Sequence, residues 1–142
     1  MTRIEVVAGI ILYKNSILCV QKPESKQQYI SKKFEFPGGK IEAGESHTEA
    51  LSRELLEELN LSTVNQSYFL TVVHQYPNLE VTLHAYLCQV DSDALILHEH
   101  ISRKWLKAEE LGTLDWAAAD IPIVEKLMAI KSLDSIGIKA KK

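Results

Sequence analysis

The sequence predicts a mixed α/β (α+β) fold, in which a mixed β-sheet carries packed helices. Three observations lead there. Val- and Ile-rich segments open the chain as a hairpin, a capped amphipathic helix follows, and a second strand pair precedes a last helix. Strands, helix, strands, helix in that order describe a layered domain. A chain of 142 residues, 46% apolar and 25% charged, suits one domain spanning 1–142 with a real core.

Taken in order, Glu5–Leu12 and Ile17–Val20 are the arms of the first hairpin, turning at Tyr13-Lys14-Asn15-Ser16. Lys22–Lys33 is polar, with Pro23 near its start, and forms a surface loop. Phe34-Glu35-Phe36 alternates as a short strand, which Pro37-Gly38-Gly39 is expected to stop. Ser46 with Glu49 makes a capping box. Ala50, Leu51, Leu55 and Leu59 then recur at helical spacing, and Asn60 can end the helix in the left-handed conformation. Tyr68–Tyr76 and Glu80–Val90 form a second hairpin around Pro77-Asn78-Leu79. Trp105 falls in a short extended piece, Ala108–Leu111 is a helical turn, and a final helix runs from about Pro122 towards Leu133.

The bulk properties exclude several functions. A net charge of −3 gives no footprint for nucleic acid polymers or anionic membranes, and Lys139–Lys142 reads as a solvated end. Cys19 and Cys88 sit in apolar runs, as buried strand residues of a reducing compartment. The N-terminal apolar run is too short to span a bilayer and lacks a cleavage site, so a cytoplasmic location is expected.

Chemistry is concentrated between Gly38 and Leu61. Residues in a helix lie about 100° apart, so Glu54, Glu57 and Glu58 share one face, away from much of the leucine stripe. Like charges at this spacing repel, and a helix built only for stability would intersperse lysines. An acidic helix alone is usually a solvated face. Here a Gly-Gly turn just before it can present a backbone carbonyl, and carboxylates with a carbonyl are hard ligands suited to Mg²⁺ or Mn²⁺ shared with phosphates. Arg53, beside the cluster, can tether a carboxylate such as Glu45.

This segment resembles the Nudix hydrolase box: Gly, five residues, Glu, seven residues, Arg-Glu, an aliphatic, any residue, Glu-Glu, any residue, Gly, aliphatic. The frame falls on Gly39, Glu45, Arg53, Glu54, Leu55, Glu57, Glu58, Asn60 and Leu61, with Asn60 in place of the last glycine. The resemblance implies an α/β/α sandwich with helices on both sheet faces. It also implies divalent metal at Glu54, Glu57, Glu58 and the Gly38 carbonyl, with Glu54 orienting or deprotonating the attacking water.

The resemblance continues outside the box. Phe34–Lys40 is similar to the segment leading into the box of MutT-type nucleoside triphosphate pyrophosphohydrolases, which places Glu35 and Phe36 on the substrate side. Glu99 precedes Trp105 as a metal-binding loop glutamate does there, though it is also an ordinary loop acid by type. His98 and His100 around it suggest a transition-metal site or, more plainly, polar loop residues. Lys22 matches a phosphate-contacting position.

Asp120, in Asp-Ile-Pro, is similar to cytidine-preferring members. An ionised Asp only accepts hydrogen bonds, which suits the exocyclic amine of cytosine, whereas a protonated one can read an oxidised purine. Its structural alternative is a cap on the final helix. Phe36 and Tyr76 can stack on a base or fill the core. Pro77 matches a proline of ADP-ribose-cleaving relatives and is equally a turn residue.

The implied activity is Mg²⁺-dependent hydrolysis of (deoxy)nucleoside triphosphates, cytidine nucleotides first, with catalytic residues Arg53, Glu54, Glu57, Glu58 and Glu99. The substrate is a small nucleotide, without membrane or polymer, and the protein is a monomer or homodimer. The alternatives are hydrolysis of a nucleoside diphosphate derivative such as ADP-ribose, or a silent nucleotide sensor.

Overall fold

The computed structural model describes residues 2–130. Thr2–Tyr13 (β1) and Ser16–Gln21 (β2) form the first hairpin. Lys14 and Asn15, at φ 48° and 67°, are the two-residue turn between them. Two positive φ values in succession match the right-handed twist of the arms. The strands therefore run further into the turn than the sequence suggests. The chain then forms β3 (Phe34–Glu35), β4 (Gly38–Lys40), α1 (His47–Leu59), β5 (Asn65–Tyr76), β6 (Leu79–Gln89), β7 (Ser102–Leu106) and α2 (Ile121–Ala129), with a 3₁₀ turn at Ala108–Thr113. Leu133, the expected end of the last helix, and Lys139–Lys142 lie outside the described residues.

The seven strands form one sheet, with order β3-β2-β1-β6-β5 and with β4 beside β1 and β7 beside β2. β1 and β6 run parallel along Thr2–Leu12 and Leu79–Gln89, while the other pairings are antiparallel. This parallel centre explains why residues 7–12 are buried without alternation, since both faces of a central strand are covered. Ala8, Ile10 and Leu12 point into a core with Leu111, Ile123 and Leu127. Val7 and Ile11 point into a second core with Leu51, Leu55 and Leu59. One helix thus covers each face. Cys19 belongs to the first core and Cys88 to the second, both as free thiols that burial pushes up to about 12.

β3 does end before Pro37, as expected, but Gly38-Gly39 does not stop regular structure, since it opens β4. β1 and β2 stay paired only near the turn, at Leu12–Ile17 and Tyr13–Ser16, and then separate. β3 pairs with β2 through Val20–Glu35 and Gln21–Phe34. β4 pairs instead with β1, through Val6–Lys40, Val7–Gly39 and Ala8–Gly38. Pro37 is the changeover, and its carbonyl accepts from Gly9 N–H at 2.8 Å. A β-carbon on Gly38 would collide with the Val7 carbonyl, so glycine is what permits the second pairing. Among the described residues, no helix is long and apolar enough to cross a membrane.

Helix α1 is bounded as its sequence requires. Ser46 Oγ accepts from Glu49 N–H at 3.1 Å, and Ser46 N–H donates to Glu49 Oε1 at 2.8 Å. Asn60, at φ 55°, turns the chain so that Leu61 N–H reaches the Leu55 carbonyl at 3.2 Å. A side chain branched at Cβ is strained in this conformation, whereas glycine is not. In urea unfolding, Asn60→Val should therefore lose about 1–2 kcal/mol, and Asn60→Gly should stay within about 1 kcal/mol of the parent.

Candidate active site

The separation of β1 from β2 opens a cleft of about 950 Å³. Gly38, Glu58 and Glu99 line it together with Lys22, Glu35, Phe36 and Asp120, so residues from distant parts of the sequence meet in one cavity.

The acidic helix is organised by Arg53. Its Nε–H donates to Glu45 Oε2 at 2.6 Å and its NH2 group to Glu45 Oε1 at 2.9 Å. NH2 also donates to the Lys40 carbonyl at 3.0 Å, and NH1 to Glu54 Oε1 at 2.9 Å and Glu57 Oε2 at 3.4 Å. These bonds use every N–H a guanidinium has. The expected tether to Glu45 is present, and Arg53 works by holding carboxylates. It keeps the Glu45 carboxyl down at about 2, helped by the Glu42 backbone N–H.

Glu54, Glu57 and Glu58 differ more than their shared face suggests. Glu54 is 14% exposed and lies so close to β4 that a methyl group on Gly39 would come within 2.5 Å of its carboxylate. Glu57 is 60% exposed and touches Arg53 at the rim. Glu58 is half-buried, and its Oε2 has no hydrogen-bond partner among the described residues. Burial pushes the Glu58 carboxyl up to about 9, and the charges of Glu54, Glu35 and Glu99 push the same way. Glu99 itself is exposed on the segment before β7. That segment is pinned to the helix by His98 N–H, which donates to the Glu58 carbonyl at 3.1 Å.

An unpartnered buried carboxylate oxygen, glycines at close approach and a surplus of negative charge fit a hard divalent cation. Among the described residues, no group of three or more carboxylate, histidine or cysteine side chains is drawn together closely enough to hold a metal ion by itself. His98 is exposed and His100 turns away to Glu35, so the pair makes no transition-metal site with Glu99.

Elsewhere in the same cleft, Asp120 is 5% exposed, and its Oδ1 accepts from Phe36 N–H at 3.2 Å. It makes no side-chain cap on α2, so the capping alternative does not hold. Burial pushes its carboxyl well above the ordinary range, and the charge of Glu35 adds to this. An accept-only Asp120, one of the two sequence expectations, is therefore the form that burial disfavours. Phe36 stacks on Trp116 at 4.6 Å between ring centroids.

Lys22 Nζ lies 3.4 and 3.5 Å from the two Glu35 oxygens. Pro77-Asn78 is the plain connection between β5 and β6, as a turn residue would be. One cleft residue escaped the sequence reading: Tyr29 stacks on Tyr76 at 4.7 Å, and as a lone aromatic in the polar Lys22–Lys33 loop it had a visible signal. His100, singled out in the sequence, is neither half of a metal pair nor a plain loop residue: it is buried and bonded to Glu35, which nothing local announces.

The NUDIX domain family model matches residues 3–127. The CTP pyrophosphohydrolase of Escherichia coli K12 is 36% identical over 132 residues, covering 93% of this chain and 96% of that protein. The 8-oxo-dGTP diphosphatase of the same strain is 28% identical over 127 residues, 89% of this chain and 98% of its own. The solution structure of MutT from methicillin-resistant Staphylococcus aureus 252 superposes with a TM-score of 0.69 at 39% identity, covering 90% and 98% of the two chains. With its box, cleft and sandwich in place, the chain belongs to the Nudix family. Within that family it is a hydrolase of the MutT type.

The Glu58 carboxyl supplies a check that needs no substrate. Its folded value of about 9 lies above its ordinary 4.5, so folding favours the protonated form. The stability it lends is full below pH 4.5 and lost as pH rises towards 9. Thermal melts in EDTA should show the parent losing stability across that window and Glu58→Gln losing less, with the difference growing towards high pH.

Proposed function

We propose that the chain hydrolyses (deoxy)nucleoside triphosphates to nucleoside monophosphate and pyrophosphate with Mg²⁺, and favours cytidine nucleotides. The observation that carries this is one cleft lined both by Glu58 and Glu99, where negative charge is in surplus, and by the buried carboxyl of Asp120, with Glu35 in the same lining. Glu35 lines the cleft with both, and its charge pushes the carboxyls of Glu58 and Asp120 up.

In this reading Glu54, Glu57, Glu58, Glu99 and the Gly38 carbonyl would hold the divalent ion together with the substrate phosphates. The chemistry such an ion supplies is neutralisation of the phosphate chain and activation of a water. Arg53 fixes Glu54 against β4, where Glu54 orients the water and takes its proton as the oxygen attacks phosphorus. The electron pair of the broken anhydride leaves with the other phosphate group. Lys22, close to Glu35 in the free protein, moves to the phosphates.

At the other end, Phe36 and Glu35 flank the base and Asp120 reads it. A neutral carboxyl presents a hydroxyl donor beside a carbonyl acceptor, matching cytosine N3 and its exocyclic amine. The same pair of groups matches O6 and N1–H of an oxidised guanine, which gives a second reading, 8-oxo-dGTP hydrolysis. The E. coli relative named for CTP supports the first reading and the 8-oxo-dGTP diphosphatase supports the second.

Two experiments decide these points. With saturating Mg²⁺, Glu54→Gln and Glu58→Gln should each lower kcat by roughly 10²-fold or more while remaining folded. Near-parental turnover would sink the metal assignment. Turnover on dCTP, 5-substituted dCTP, 8-oxo-dGTP and ADP-ribose, scored by pyrophosphate release, should rank dCTP derivatives first and yield no pyrophosphate from ADP-ribose. Asp120→Asn should change the ratio between the cytosine and oxidised-guanine substrates by about tenfold. An unchanged ranking removes Asp120 from base selection.

A further inference from the structure

His100 is the buried imidazole that the proposed chemistry leaves unused. Its side chain is 4% exposed, yet it lines the cleft. Its position is fixed from both sides. His98 N–H bonds the Glu58 carbonyl on α1, and Ile101 N–H bonds the Gln21 carbonyl on β2 at 3.0 Å. Ser102 then enters β7 opposite Gln21 and donates its hydroxyl to the Gln21 side chain at 2.7 Å. The ring reaches past the end of β2 to Glu35 on β3, where Nε2 lies 2.9 Å from Oε2. A neutral imidazole has one donor and one acceptor. An ionised Glu35 needs the donor, so Nε2 carries the proton. Nδ1 is left buried without a partner among the described residues.

Among the described residues Glu35 bonds to Lys22 and His100, and the two are not equivalent. Lys22 stands at 3.4 and 3.5 Å, is 31% exposed, and is free to swing to a phosphate. His100 is shorter, buried and held by the backbone on both sides. It is the donor that stays when Lys22 leaves.

We propose that His100 is a positioning residue for base selection: its Nε2–H holds the Glu35 carboxylate in the orientation that meets the base. This rests on the reading that Glu35 flanks the base. Because His100 follows Glu99 directly, the same short segment then serves both the phosphate end and the base end of the substrate.

The test compares kcat and KM for dCTP and 8-oxo-dGTP in His100→Leu, His100→Gln, His100→Asn, Glu35→Gln and the double variant His100→Leu/Glu35→Gln. Gln can place an amide N–H where Nε2 stands, and Asn is too short. His100→Leu and His100→Asn should each shift the substrate ratio by about tenfold, mainly through KM, and His100→Gln should restore most of it. In the Glu35→Gln background, His100→Leu should move the ratio no further. The Gln and Asn pair keeps the inference testable if the Leu variant fails to fold. An unchanged ratio in His100→Asn, equal losses in Gln and Asn, or independent effects in the double variant would overturn it. If Glu35→Gln alone leaves the ratio unchanged, the placing of Glu35 at the base falls with it.

Discussion

One guanidinium ties the acidic helix to the strand and loop that face it. Arg53 spends its donors on the backbone of Lys40 and on three glutamates, one of them, Glu45, in a bidentate pair. Glu54, Glu57 and Glu58 would otherwise repel one another and splay into water. Held this way, the charge surplus is displaced towards Glu58, whose Oε2 finds no partner, and the loop before the helix is kept against its first turns. The geometry of the phosphate end follows from this single side chain, and so does its need for an external cation in the proposed mechanism.

The second constraint is the sheet. A parallel pairing between β1 and β6 forms the covered centre, and the early parting of β1 and β2 makes the opening. The polypeptide from Phe34 to Lys40 bridges that opening by changing partners at Pro37. Its two glycines admit what a β-carbon would exclude, the Val7 carbonyl in one case and the Glu54 carboxylate in the other.

What was legible in the sequence was local. The capping box at Ser46 and Glu49, the leucine stripe, the left-handed Asn60 and the Arg53–Glu45 tether all join residues a few positions apart, so spacing sufficed. The illegible parts join distant ones. Asp120 meets Phe36 across 84 residues, and His100 meets Glu35 across 65. Nothing in their neighbourhoods distinguishes a helix cap from a buried carboxyl, or a loop histidine from one packed beneath a strand. Pro37-Gly38-Gly39 misled for a related reason. Glycine weakens a strand intrinsically, and only the crowding from β1 and α1 turns that weakness into a requirement.

The changeover at Pro37 has a consequence for substrate size. Phe36 and Gly38 are separated by one residue on a segment bonded to β2 on one side and β1 on the other. In the proposed mechanism the first faces the base and the second the phosphates. The span between them is thus a caliper set by backbone pairing, indifferent to side-chain rotamers. A change in the register of β3 or β4 would alter this span, because the two ends cannot slide independently. Length discrimination would then be inherited from the sheet, while discrimination among bases stays open to change at single side chains.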